Sequence, residues 1–191
     1  GVLESDVRYT IKVTPGFPWK EILRLAKKDK TDLILLGPHT GRAKELGVVR
    51  TKGKIGSTVQ GVIMHERSPV MITNRSIPEE KLKFKQIVIG TDFSESCKNA
   101  LLFAIKLAQK QDSKIFIFHM APVPPNPQYS QADYEKDINR LTKKLDEFCR
   151  VIPAEIEHDC NVWGGALPHL EILKCAGKKD ADLIVMGSHT K

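Results

Sequence analysis

Long hydrophobic runs are missing from this sequence of 191 residues. Its apolar stretches, such as residues 115–118 (IFIF), reach strand length and fall far short of the roughly 20 residues a membrane-spanning helix needs. No charged-then-apolar segment resembling a secretory signal opens it. A soluble, cytoplasmic protein is the expectation, with no membrane partner. Aromatic residues are scarce at 6%, which is poor material for platforms on which bases stack. No run of like charge forms a nucleic-acid arm, although the net charge is +7. Nucleic acid is therefore not an expected partner, and the positive excess serves either phosphorylated ligands or solubility. Cys97, Cys149, Cys160 and Cys175 show neither CxxC nor Cys/His ligand spacing, so no metal site is expected and buried thiols in a reducing compartment are. A dinucleotide-type GxGxxG is absent too. Gly47-x5-Gly53-Lys54-Ile55 imitates a P-loop, but has one residue too many and an isoleucine where the magnesium-binding hydroxyl belongs.

What the chain does contain is a repeat. Residues 18–40 (PWKEILRLAKKDKTDLILLGPHT) align without a gap on residues 168–190 (PHLEILKCAGKKDADLIVMGSHT), with 12 of 23 positions identical at an offset of 150. An offset of that size suits a duplicated domain and not a solenoid. The second copy holds residues 87–131, whose counterpart would precede Gly1; the first holds residues 41–74, whose counterpart would follow Lys191. The expectation is thus two incomplete copies. Residues 1–75 form the carboxyl-terminal portion of a first domain and 76–84 a charged linker. Residues 85–191 form a second domain lacking its last helix and strand, and an intact pair would span about 300 residues at ~150 per domain.

Hydrophobic patterning gives the elements. In the first copy, strands are expected at 7–13, 32–36 and 69–73, and helices at 18–28 and 56–65. In the second, strands are expected at 86–90 (QIVIG), 114–119, 154–162 and 182–186. Helices are expected at 94–109, at 133–152 and from Pro168, which suits a first helical turn. Cys97, Ala100, Leu101, Ala104, Ile105 and Ala108 make one apolar face of the first of these helices. Residues 121–131 carry four prolines and read as an extended loop. Alternating helices and short apolar strands imply an α/β fold with a doubly wound parallel sheet, five-stranded once the copies are superimposed.

In such sheets ligands sit beyond the carboxyl ends of the strands. Gly90-Thr91-Asp92, His119-Met120, Gly37-Pro38-His39-Thr40 and Gly187-Ser188-His189-Thr190 fall there. Gly56-Ser57-Thr58 opens a helix whose free amides and hydroxyls suit a phosphate. Each has a plainer reading. Asp92 and Glu95 have capping-box spacing, Gly56-Ser57 can be an ordinary cap, His119 can be a hydrogen-bonded strand-end histidine, and His39 and His189 have no triad partners placed by motif.

IVIGTDFSESCKNAL followed by IFIFHMAP resembles the amino-terminal half of a universal stress protein domain. DLIVMGSHT, with GSTVQGVIMHERSPVMIT from the first copy, resembles its carboxyl-terminal half, and a tandem two-domain member is implied. The family's fold is adenine nucleotide alpha hydrolase-like. Its nucleotide-binding branch holds ATP through a first-strand Asp, a backbone contact after the second strand and a loop G-x2-G-x9-G-[ST]. The resemblance then implies a site of Gly90, Thr91, Asp92, Met120, Met186, Gly187 and His189 from the second copy. Leu36, Gly37, His39, Gly56, Ser57 and Thr58 belong to it from the first, and the ligand is ATP or a related adenine nucleotide with or without Mg²⁺. Thr40 and Thr190 stand where the second glycine belongs, and 14 residues separate Gly41 from Gly56 where the motif has nine; threonine resists the positive φ that close approach to phosphate favours. A non-enzymatic nucleotide-responsive protein is the leading expectation. The alternatives are a nucleotide-free scaffold, pairing as a homodimer or intramolecular pseudo-dimer through strand 69–73, and an ATP hydrolase. No catalytic residue is marked.

Overall fold

A computed structural model describes residues 8–37, 56–73 and 83–188. These fall into two units that divide between Ser76 and Ile77.

The first unit contains α1 (Pro18–Asp29), β1 (Ile34–Leu36), α2 (Ser57–His65) and β2 (Val70–Ile72). β1 and β2 pair in parallel, Ile34 opposite Val70 and Leu36 opposite Ile72. Ala26, Ile34 and Val62 are its buried core, flanked by Trp19, Ile22, Leu23, Leu36 and Val70. α1 starts with proline in its first turn, where the missing amide costs nothing. The strand expected at 7–13 is not formed: residues 8–13 have no regular structure, and Tyr9, Ile11 and Val13 are exposed. Alternation alone does not make a strand when no neighbouring strand supplies a ladder.

The second unit is a parallel four-stranded sheet in the order β5-β4-β3-β6. Its elements are β3 (Gln86–Gly90), α3 (Glu95–Gln111), β4 (Lys114–Pro122), α4 (Gln131–Cys149), β5 (His158–Gly165), α5 (Pro168–Lys178) and β6 (Leu183–Met186). Ile87, Ile89, Ile115 and Ile117 point to one face, where Leu101, Ala104, Ile105 and Ala108 of α3 and Leu145 and Cys149 of α4 cover them. Val88, Phe116 and Phe118 point to the other and meet Ile172 and Cys175 of α5. Strand alternation thus supplies both faces from the same residues. Among the described residues the sheets have two and four strands, where superimposing the copies gives five.

Two boundaries moved for local reasons. β5 begins at His158 and not 154, because residues 153–156 close a turn in which the Ile156 amide donates to the Pro153 carbonyl. The proline-rich loop gives up its start to β4, which runs to Pro122 opposite Gly165; proline is tolerated at a strand end. α4 then starts on a capping box at Ser130 and Asp133, an aspartate variant of the usual Glu/Gln pattern. Asp182, just before β6, accepts from the Lys85 and Gln86 amides at 2.9 Å each and fastens β6 to the start of β3. The aspartate of the repeated Asp-Leu-Ile motif therefore holds strand register in this unit.

Candidate functional site

The chain leaves β3 toward β4 and β5 on one side, then crosses to β6 on the other. This reversal makes the carboxyl ends of β3 and β6 the topological switch point, where connections diverge and leave a crevice. Gly90 pairs with Met186 there and with Phe118 on the other side. Gly90, Thr91, Asp92, Met120, Met186 and Gly187 are thereby gathered at one end of one sheet. Leu36 ends β1 and Gly37 follows it, and Gly56, Ser57 and Thr58 open α2; these belong to the first unit. His39, His189, Thr40 and Thr190 lie outside the described residues.

The turn after β3 is built by side chains that bond to their own backbone. Thr91 Oγ1 accepts from the Phe93 amide and Asp92 Oδ1 from the Ser94 amide, each at 2.9 Å. Ser94 Oγ accepts from the Cys97 amide at 3.3 Å and is the N-cap of α3. Asp92 is therefore not the cap that its spacing to Glu95 suggested; it sits two residues earlier and closes an Asx turn. Short polar side chains compete for local amides in this way, and the Thr-Asp-Phe-Ser run was the signal that reveals it. Amides 93, 94 and 97 are engaged by the loop itself. The Cys97 thiol also donates to Asp92 Oδ1 at 3.2 Å. Asp92 nonetheless remains exposed at the rim, next to the positive end of α3.

Phe93 has φ 67°, a left-handed conformation that costs a bulky residue about 1–2 kcal/mol. Its ring contacts offset that cost. It lies 4.2 Å from the His119 ring, meets Phe148 edge-on at 5.9 Å, and carries Lys144 Nζ 4.4 Å above it. His119 donates through Nδ1 to the Thr91 carbonyl at 2.7 Å, which assigns it a positioning role at the strand end and fixes one tautomer.

Burial holds His119 below the usual imidazole value and Lys144 pushes the same way, against the Thr91 carbonyl and Asp92. With its folded value below the unfolded 6.5, neutral His119 contributes stability that is complete above that pH. It is lost as pH falls through the folded value. Urea denaturation of the wild type and of His119→Gln between pH 7 and 5 is expected to show the steeper loss in the wild type. Equal slopes would overturn the assignment.

Met120 contributes its backbone. The Phe118 carbonyl accepts from the Thr91 amide at 2.9 Å, so it points toward β3. Alternation along β4 turns the Met120 amide and carbonyl to the same side, beyond the last β3–β4 pair at Gly90 and Phe118. The Met120 side chain packs instead with Phe118 and Trp163 on the α5 face. Gly187 is fixed by space: a Cβ there would lie 2.6 Å from the Cys97 amide nitrogen and from the Ser96 carbonyl carbon. β6 thus ends in backbone contact with the first turn of α3, a feature no sequence pattern displays.

Among the described residues no helix is long and apolar enough to cross a membrane. The profile of the universal stress protein family matches residues 83–191. A universal stress protein of Methanocaldococcus jannaschii is 28% identical over 128 residues, covering 63% of this chain and 74% of that protein. The crystal structure of a universal stress protein from Archaeoglobus fulgidus DSM 4304 superimposes with TM-score 0.63 and 21% identity over 92% of this chain, which spans 56% of that structure's length. A universal stress protein from Archaeoglobus fulgidus in complex with dAMP aligns over 55% of this chain and 82% of its own, at 21% identity and TM-score 0.43. With its switch-point sheet and the family profile covering more than half its length, the chain belongs to the universal stress protein family.

Proposed function

We propose that the protein is a non-enzymatic, adenine-nucleotide-binding stress-response protein built from two tandem universal stress protein-like domains. The observation that carries the nucleotide reading is the pairing of recognition groups at one crevice. The exposed Asp92 carboxylate is a strong acceptor for ribose or base donors, and the Met120 backbone turned past β3 offers a donor and an acceptor for an adenine edge. The turn amides at 93 and 94 and the α3 amide at 97 are engaged by Thr91, Asp92 and Ser94, and in the first domain Gly56, which caps α2, makes no side-chain cap bond. That helix start, with Ser57 and Thr58, is the phosphate end of the first domain's own site in this reading. Leu36, Gly37 and His39 join it in the first domain, and Met186, Gly187 and His189 are their counterparts in the second. Magnesium would enter as the counter-ion of ATP.

Isothermal calorimetry with ATP, AMP and adenosine, on the wild type and on Asp92→Ala, tests this. Hydrogen bonds to a charged group contribute about 1.5–3 kcal/mol, so the substitution is expected to weaken binding by about tenfold or more. Equal affinity in both proteins would remove Asp92 from the site. Absence of wild-type binding to all three ligands would leave the second reading, a dimerising scaffold. That reading is favoured by the short parallel strand β2, which pairs on one side with β1 and could pair on its other edge with a second copy. It predicts a nucleotide-independent dimer in sedimentation equilibrium.

A further inference from the structure

The four cysteines are all free thiols, and two of them meet. Cys149 is the last residue of α4, and Cys160 is the third residue of β5, opposite Ile117 of β4. Both belong to the apolar layer between α4 and the sheet, with Cys160 packed against the cluster that contains Cys149, Ile152 and Ile156. The two thiols lie close enough to shift each other's protonation. Cys149 is buried, whereas Cys160 keeps part of its surface in solvent on β5, an edge strand among the described residues. A shared metal would need further ligands, and no group of three or more His, Cys, Asp or Glu side chains is placed to hold one among the described residues.

We propose that Cys149 and Cys160 are an oxidation site, at which a hydroperoxide converts the adjacent thiols into a disulfide tying the end of α4 to β5. Cys160 is the attacking sulfur. It is the one of the two that reaches solvent, and the neighbouring Cys149 lowers it below the usual thiol value, against burial and the nearby Asp146 and Asp159, while Cys160 and burial raise Cys149. The Cys160 thiolate attacks the terminal peroxide oxygen. A sulfur–oxygen bond forms, the oxygen–oxygen bond breaks, and the alcohol or water leaves after taking a proton. The Cys149 sulfur, losing its proton, then attacks the Cys160 sulfenic acid; the disulfide forms, and the hydroxyl departs with that proton as water. Two thiols and one hydroperoxide give one disulfide, one alcohol and one water. Cys97 and Cys175 are internal controls: Cys97 is buried against Asp92, and Cys175 lies in the layer on the opposite face of the sheet.

The test treats the reduced whole chain with hydrogen peroxide, blocks remaining thiols by alkylation and maps peptides by mass spectrometry. The expected product is a crosslinked peptide joining Cys149 to Cys160, about 2 Da lighter than the reduced pair, with Cys97 and Cys175 alkylated and the crosslink reversed by dithiothreitol. In Cys149→Ser, Cys160 sulfenic acid is expected to accumulate and to be captured by dimedone. The proposal is overturned if all four thiols survive peroxide, if Cys97 or Cys175 oxidises first, or if Cys160 passes to sulfinic acid without crosslinking. The wild-type map decides the matter even if the serine variant fails to fold.

Discussion

Leu145→Ala is expected to lower the unfolding free energy of the second unit by about 2–5 kcal/mol, the range for truncating a buried leucine whose surroundings cannot collapse. Leu145 has no solvent exposure and lies in the cluster where α3 and α4 meet the β3–β4 face. Its neighbours Ile89, Leu101 and Ile117 are buried to within 1% and belong to three different elements, β3, α3 and β4, so one relaxation cannot fill the space. Leu102→Ala, at a residue 44% exposed, is the control and should change stability by no more than about 0.5 kcal/mol. Urea denaturation followed by circular dichroism measures both. The loss should reach the candidate site as well, because α4 supplies Lys144 and Phe148, which hold Phe93 in its left-handed conformation. A Leu145→Ala protein as stable as Leu102→Ala would mean the layer is packed differently from the structure.

Legibility in the sequence followed the range of the interaction. The apolar face of α3 was readable because helical periodicity is local: Cys97, Ala100, Leu101, Ala104, Ile105 and Ala108 are its buried residues. The continuous apolar run of β3 marked a strand covered on both faces, and Pro168 marked the start of α5. Residues 8–13 misled for the complementary reason, since strand formation depends on a distant partner that alternation does not report. The gathering of Gly90–Asp92, Met120 and Met186–Gly187 followed from the fold class, because parallel strands bring their carboxyl ends to one edge. What stayed hidden was everything set by distance across the sheet: the Asp182 clamp on β3, the bond from His119 to the Thr91 carbonyl, and the meeting of Cys149 with Cys160. The cap of α3 was an intermediate case. Ser94 and Asp92 compete for the same helix start, and only geometry shows that Ser94 takes the Cys97 amide while Asp92 takes that of Ser94.

Glycine to alanine substitutions should separate space from conformation at three positions that look alike in the sequence. Gly187→Ala is expected to cost about 1–3 kcal/mol, the usual penalty for overpacking. The added methyl would meet the Ser96 carbonyl oxygen at 2.9 Å, and the Ser96 carbonyl carbon and Cys97 amide nitrogen at 2.6 Å. All three are main-chain atoms, which no rotamer change can move aside. Either the end of β6 retreats from β3, or the first turn of α3 shifts and takes with it the Ser94 cap and the Asp92 turn. Nucleotide affinity should therefore fall together with stability, even though the methyl touches no ligand group. Gly37 occupies the same place in the repeat, yet a Cβ there meets nothing within 4 Å among the described residues, so Gly37→Ala should leave stability nearly unchanged. Gly177, inside α5 and equally open, should gain up to about 1 kcal/mol from alanine's better helix propensity. Urea denaturation of the three variants reads out loss, no change and gain, and calorimetry follows the ligand. Should Gly187→Ala unfold at the same urea concentration as the wild type, the backbone contact between β6 and α3 is wrong, and the crevice at the switch point is wider than drawn.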